Sequence, residues 1–403
     1  MGTHAATGGS SNICTSSESE AIVGSDQTGR PAATGGCSRN NTYTHTSGEG
    51  DRRPSRSYLE ARQAMEQQLA QMQNPLPKKD IRQMAEQWSL ESRLATYDPA
   101  IVALEAKFLD KRHRLTHVPE LGRLERKRPS GVHRWMMCQI NSASTEETKE
   151  VKTEQIRELV EEYDVQGVGL IEVGFNWSTV NSSRNLASWF NDWRPCISAT
   201  NHNKHEPDTR HQQGGIGLLA FGALQKYVRK KCGDFRDLGR WQSWLLYANE
   251  NHQTRVIFAY NVGRPKPRHF GSMYQQTLRY IQSNNLDTNP RRLFATDFLA
   301  VLLTWRARGE RLIIFWDANE HILTGPLCSL ILDKLDMVEA SSQSWEGTEP
   351  NTYIRGREPI DACMHTKDVE TASSCQKSFH HSVGDHRTII VDFATQSLIG
   401  KYE

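Results

Sequence analysis

Short apolar runs punctuate the chain from Trp135 onward: WMMCQI, VQGVGLIEV from Val165, GGIGLLAF from Gly214, WQSWLLYA from Trp241, TRVIFAY from Thr254, RLIIFW from Arg311 and RTIIVDF from Arg387. Runs of this length bounded by polar or glycine positions predict strands, and the unbroken Leu312 to Trp316 segment predicts one buried on both faces. Between the runs, apolar residues recur at helical spacing. Ile156, Leu159, Val160 and Tyr163 form one stripe, Tyr274, Thr277, Leu278 and Ile281 a second, and Phe294, Phe298, Val301, Leu302 and Trp305 a third. WQSWLLYA and TRVIFAY are separated by too few residues for a helical crossover, so they predict a hairpin. Mixed sheets flanked by helices follow.

The first third of the chain has a different pattern. Up to about Ser57 it is Ser, Thr, Gly, Asn and charge, with too little apolar surface to offset the entropy of ordering, and disorder is expected. Residues 58–116 are rich in helix formers, broken by Pro75 and Pro77 and by an Asp98-Pro99 start signal. The stripe Met65, Leu69 and Met72 suits either pairing with a helix of a protein partner or packing on the next domain. A basic cluster follows, from Lys111, Arg112 and Arg114 to Arg123, Arg126, Lys127 and Arg128, and reads as a solvated linker or as a nucleic-acid or nuclear-targeting patch. The expected organisation is a tail over 1–57, a helical region over 58–130 and a folded domain over 131–403.

Composition narrows little. With 49 basic and 47 acidic residues the formal charge is +2, so a polyanionic partner needs a local surface rather than a global field. The eight cysteines contain no CxxC pair and read as reduced thiols of an intracellular protein. The start of the chain lacks the basic-then-apolar order of a signal peptide, and no window has the length of a membrane span, so a soluble chain without membrane contact is expected.

The chemistry is concentrated where strands stop. WMMCQI runs to Asn141, VQGVGLI to Glu172, VIFAY to Tyr260 and Asn261, and LIIFW to Asp317 and Asn319. Asp361 lies in an apolar stretch, and Asp385 and His386 precede the last strand. Singly these are turn formers or solvated groups, but together they place acids, amides and a phenol at one end of a sheet. Carboxylates with amides are hard oxygen donors suited to Mg²⁺ or Mn²⁺ rather than zinc, and a histidine beside them can donate to a phosphoryl oxygen. His202, His205 and His211 near Cys196, and Cys363, His365, Cys375, His380 and His381, lack a finger spacing and read as loop residues. Gly214-Gly215 reads as a tight turn into its strand.

The ordered series NSAS, GLIEV, QQGGIGLLAF, FAYN, FWDANE, NTYIRGREPIDA and SVGDHR resembles the motifs of the endonuclease/exonuclease/phosphatase superfamily over about residues 132–397. Within it, the chain looks most similar to the apurinic-type endonuclease domains of non-LTR retroelements. The resemblance implies an α+β, DNase I-like fold: a two-layer β-sandwich flanked by helices, with the site at one end. It implies a Mg²⁺-dependent hydrolase of DNA, Mn²⁺ being the other candidate ion, that leaves 3′-hydroxyl and 5′-phosphate ends. Glu172, Asn141 and Asp385 would hold the metal, and Asp317 with Asn319 would orient and deprotonate water. His386, held by Asp361, would contact the phosphate, with Tyr260 and Asn261 on its oxygens and Arg264 on the DNA. Arg229 to Lys231, Arg291, Arg292, Arg306, Arg308 and Arg311 are further basic groups placed beside the site.

Two positions depart from the pattern: Ala143 stands where a second Asp or Asn is common, and Gly384 where Ser is usual. The fold equally admits a phosphatase or lipid phosphodiesterase, or an inactive nucleic-acid-binding derivative.

Overall fold

The computed structural model describes residues 120–141, 143, 145–179, 185–206, 211–263, 271–345 and 349–400; the tail 1–57, the helical region 58–116 and Arg264 lie outside them. Two mixed sheets are packed face to face. In the first the order is β1 (Leu121–Gly122), β12 (Thr371–Gln376), β13 (Ile389–Ala394), β2 (Val132–Gln139), β3 (Gly167–Ile171), β5 (Ile216–Phe221) and β4 (Cys196–Asn201). In the second it is β10 (Met337–Glu339), β11 (Asp361–Thr366), β9 (Arg311–Asp317), β8 (Thr254–Tyr260), β7 (Trp241–Leu246) and β6 (Val228–Gly233). All seven predicted runs are strands, and the predicted hairpin is the antiparallel β7–β8 pair. The first sheet begins before the expected boundary at residue 131, since β1 pairs with β12.

Each sheet contains a single parallel pair, β2–β3 in the first and β8–β9 in the second. A parallel pair requires a crossover. Helix α1 (Glu146–Glu162) supplies it between β2 and β3, and α2 (Met273–Ser283) with α3 (Pro290–Ala307) between β8 and β9. Thr145 opens α1 with a reciprocal capping box to Thr148, and Asn289 opens α3 with Pro290 in its first turn. Helices α4 (Pro326–Lys334) and α5 (Thr395–Ile399) complete the described set.

Burial on both faces explains the continuous apolar runs. Along β2, Trp135 and Met137 point into the space between the sheets, where they meet Trp244, Phe258 and Phe315; Met136 and Cys138 point outward to Ile156 and Val160 of α1. Along β9, Ile313 and Phe315 face inward, whereas Leu312, Ile314 and Trp316 pack with Phe298 and Leu302 of α3. The layers are thus helix, sheet, sheet, helix, with three apolar seams between them.

The two parallel pairs touch at their centres. Gly169 of β3 lies so close to the Phe258 ring of β8 that a Cβ there would come within 1.8 Å of it. Phe258 also stacks on Phe315 at 4.9 Å with the rings 4° from parallel, which leaves it no room to withdraw. Gly169→Ala is therefore expected to destabilise the domain by about 1–3 kcal/mol through overpacking, seen as a lowered midpoint in chemical denaturation, while Gly271→Ala, where no atom crowds the added methyl and the backbone is not left-handed, leaves the midpoint close to wild type.

Candidate active site

The parallel pairs run the same way, so the carboxyl ends of β2, β3, β8 and β9 meet at one end of the sandwich. Register brings the remaining groups there. Tyr260 and Asp361 are both paired with Asp317, one on each side of β9. His386 precedes β13, which starts opposite the end of β2. Between these ends lies a cleft of about 650 Å³, lined by Asn141, Glu172, Tyr260, Asp317, Asn319, Asp385 and His386 together with Gln139, His211 and Tyr353. Most of the residues singled out in the sequence are therefore in one place.

Three strand ends turn sharply to reach it. Asn141, Glu172 and Asn319 have φ of 49°, 54° and 50°, and Glu172 is the only described non-glycine residue in this left-handed region that is neither Asn nor Asp. Such a backbone costs about 1–2 kcal/mol for an ordinary side chain, so the surrounding bonds must hold it. Val173 and Gly174 donate from their backbone N–H to the carbonyls of Gly215 and Gly214, whose own φ values of +83° and +89° confirm the glycine turn.

Asp317 has both oxygens bonded. Its Oδ1 accepts from the Asn319 backbone N–H at 2.9 Å and its Oδ2 from Gln139 Nε2 at 3.1 Å. The same Gln139 nitrogen donates to Glu172 Oε2 at 3.1 Å, so one amide spans the two acids, while Gln139 Oε1 is buried without a partner. Burial, and then the charge of Asp361, push the Asp317 carboxyl well above the ordinary range. Burial also raises Glu172, against the Tyr260 hydrogen bond and the nearby His386 that lower it. His386 Nδ1 meets Asp361 Oδ2 at 2.7 Å, and its ring lies 4.8 Å from that of Tyr353. Burial opposes a charge on this imidazole, but Asp361, and beyond it Asp317 and Asp385, overcome that and lift its pKa to about 10.

Several placements differ from expectation. Asn261 is buried below the cleft: its backbone N–H donates to the Asp317 carbonyl and its Nδ2 to the Ala318 carbonyl, so it ties the ends of β8 and β9 together instead of facing a substrate. Arg306 and Arg311 sit at the opposite end of β9 from Asp317, and the start of β6, with Arg229 and Lys230, is also remote, because β7 runs antiparallel to β8. Ala143 is fully buried in the apolar cluster outside the first sheet, and its backbone N–H donates to the Val173 carbonyl. The residue that spans the acids is Gln139, with Asn141 two positions later donating to Asp385 Oδ1, so the spacing of two polar groups is present one step earlier than the motif reading placed it. Gly384 is required by close approach, since a Cβ there would lie 1.9 Å from the Gln139 carbonyl oxygen.

Gln139, Tyr353 and His211 were not singled out as site residues. Gln139 was visible only as the one polar residue inside WMMCQI. Tyr353 is brought in by a bridge to His386, with Thr352 Oγ1 accepting from the backbone N–H of Asp361 and the Thr352 carbonyl from that of Arg387.

Could these groups bind a cation? Asp317, Asp361 and His386 lie close enough together to share one. Asp361 and His386 are already bonded to each other, however, and a protonated imidazole is a donor rather than a ligand. Glu172, Asn141 and Asp385 line the cleft with oxygen donors, a set that fits Mg²⁺ or Mn²⁺, and the buried, unpartnered Oε1 belongs to the Gln139 amide that bonds Glu172.

No protein-family model matches the chain, and no curated protein matches it. Solved structures similar to it include the human Nocturnin catalytic domain with bound sulfate (15% identity, TM-score 0.46, 65% of this chain and 93% of that one). Others are the AP endonuclease LMAP from Leishmania major (10%, 0.45, 66% and 89%) and the 3′ phosphatase NExo from Neisseria bound to a product DNA hairpin (12%, 0.42, 65% and 99%).

The His386–Asp361 pair gives a direct prediction. By NMR, the His386 ring signals should stay at the imidazolium position from about pH 6 to about pH 8, where an ordinary histidine titrates. In Asp361→Asn the titration should move down into or below that window, because burial is then opposed by less negative charge; a wild-type midpoint near 6.5 would show that Asp361 does not hold the proton.

Proposed function

We propose that the chain is a divalent-metal-dependent phosphodiesterase that hydrolyses DNA, of the retroelement endonuclease type, leaving 3′-hydroxyl and 5′-phosphate ends. The observation that carries this reading is the charge of the cleft. Glu172, Asp317 and Asp385 line it and Asp361 lies directly behind, while its described lining contains no Lys or Arg. His386 sets one positive charge against these acids, two of which burial holds toward neutrality, and an anionic diester fits best when a cation accompanies it.

Glu172, Asn141 and Asp385 would hold that ion, which when bound neutralises phosphate charge and polarises the P–O bond. The remaining work falls to the chain. Asp317, fixed through both oxygens, aims a lone pair at a water in the cleft and takes its proton as the water oxygen bonds to phosphorus. The P–O3′ bond breaks opposite it, and the departing O3′ takes a proton from solvent water to become the 3′-hydroxyl. His386, held charged by Asp361, donates to a non-bridging oxygen as negative charge accumulates there. Tyr260, whose pKa is raised first by burial and then by Glu172 and Asp317, stays neutral; its one proton bonds Glu172 and would turn to a phosphate oxygen when that carboxylate holds the ion.

DNA is favoured over a small phosphomonoester by the rim. Arg355 and Arg357 are exposed on the segment that carries Tyr353 into the cleft, placed to meet phosphates flanking the scissile one. A lipid substrate finds less support, since no described helix is long and apolar enough to cross a membrane and the cleft rim carries none of the large exposed apolar side chains, Phe235, Leu303 and Leu330.

The test is nicking of supercoiled plasmid with Mg²⁺ and with chelator. Wild type should nick only with the metal, and Asp317→Ala should be slower by about 10²-fold or more. Absence of nicking by folded wild type, with turnover of inositol phosphates or phospholipids instead, would move the assignment to the phosphatase branch. Separately, replacing Arg355 and Arg357 together by Ala should raise KM for DNA and flatten its dependence on log salt concentration by about 1–2 units, while kcat stays close to wild type.

A further inference from the structure

Tyr260 and Asp317 belong to different strands, and each is followed at once by a loop. The two loops approach closely: a Cβ on Gly263 would lie 3.4 Å from Asn319 Oδ1. Asn261 bonds them directly at their start: its N–H and Nδ2 donate to the Asp317 and Ala318 carbonyls, and its carbonyl accepts from Asn319 Nδ2. Beyond that point a further tie comes from outside both strands. Arg291, in the first turn of α3, donates through Nη1 to the Val262 carbonyl at 2.9 Å and to the Asn319 carbonyl at 3.3 Å. Its Nη2 meets Glu320 Oε2 at 3.2 Å. A single planar guanidinium thus holds the end of β8 and the end of β9 at once, which its fixed fork allows and a lysine ammonium does not.

Glu320 extends the connection. Its other oxygen, Oε1, accepts the backbone N–H groups of Leu327 at 2.7 Å and Cys328 at 2.9 Å. These belong to the first turn of α4, whose N-cap, Gly325, provides no side-chain cap. Glu320 therefore serves as the remote cap of α4 and as the carboxylate partner of Arg291. Helices α3 and α4 are fastened to the two strand ends through one ion pair, and no atom of that pair is needed for the chemistry itself.

We propose that Arg291 and Glu320 are positioning residues, a staple that anchors the Val262 and Asn319 turns just beyond the paired Tyr260 and Asp317. This rests on the phosphodiesterase reading for its catalytic consequence but not for its structural one. Freed of Arg291, the Val262 and Asn319 turns lose their shared anchor, and Asp317, whose Oδ1 accepts the Asn319 N–H, loses its alignment with the substrate. Because a displacement of about 1 Å is worth on the order of 10²-fold, the effect belongs in kcat rather than in KM.

The experiment compares wild type, Arg291→Ala, Arg291→Lys and Glu320→Gln by plasmid nicking, amide hydrogen exchange and thermal unfolding. Arg291→Ala should lose about 10- to 100-fold in kcat with KM within about twofold, and added guanidinium ion should restore part of the loss in this variant but none in Asp317→Ala. Arg291→Lys, which keeps the charge and packing, should fold and still show most of the loss. Exchange should accelerate at 261–263 and 318–320 and stay unchanged in the core strands. A folded Arg291→Ala with wild-type kcat and wild-type exchange would overturn the staple, as would a loss confined to KM, which would make Arg291 a substrate contact. If wild type cleaves no phosphodiester while exchange changes as described, the functional reading falls and the staple stands.

Discussion

The contact between Phe258 of β8 and the bare backbone of Gly169 in β3 is what the rest of the molecule is arranged around. It brings the two parallel pairs together at their midpoints, and because both pairs run the same way their four carboxyl ends finish level. A slip of one residue between the sheets would move an end by about 3.3 Å. That would separate Gln139 from Asp317, which now meet across the sandwich at 3.1 Å. Helices α1, α2 and α3 exist as crossovers because parallel neighbours demand them, and they cover the outer faces that the continuous apolar runs leave exposed.

At the level end, electrostatics and backbone strain are set against packing. Four carboxylates gather around one imidazole, and burial makes their mutual repulsion expensive. The strand ends at Asn141, Glu172 and Asn319 are left-handed, a conformation that would relax if nothing opposed it. What opposes it is a layer of uncharged bonds: Asn261 across the β8 and β9 ends, Thr352 on Asp361, the Gly214-Gly215 ladder beside Glu172. The geometry of the site is thus set by bonds within the chain.

Much of this was legible in the chain. Strands buried on both faces announce themselves as unbroken apolar runs, and a run that stops on Asp317 or Glu172 places that acid at a strand end whatever the partner strand is. Other elements were hidden because their composition answers to neighbours. Strands β4, β6 and β12 (CISATN, VRKKCG and TASSCQ) are polar, since β4 and β6 lie at sheet edges and β12 pairs on one side with only the two-residue β1.

By itself the sequence determined the seven apolar strands, the helices between them and which polar groups close those strands, because apolar periodicity and the residue at a strand end are local properties. Which of two adjacent polar residues enters the cleft was decided only by tertiary structure. Tyr260 and Asn261 stand side by side at one strand end, and only Tyr260 lines the cleft. The pleat, the left-handed turn and the opposing sheet aim Gln139 at two acids, and they fold Asn261 underneath as a tie between strands. Distance along the chain likewise said nothing of Arg291 and Arg311: one reaches the strand ends through a helix start, and the other stands at the wrong end of the right strand.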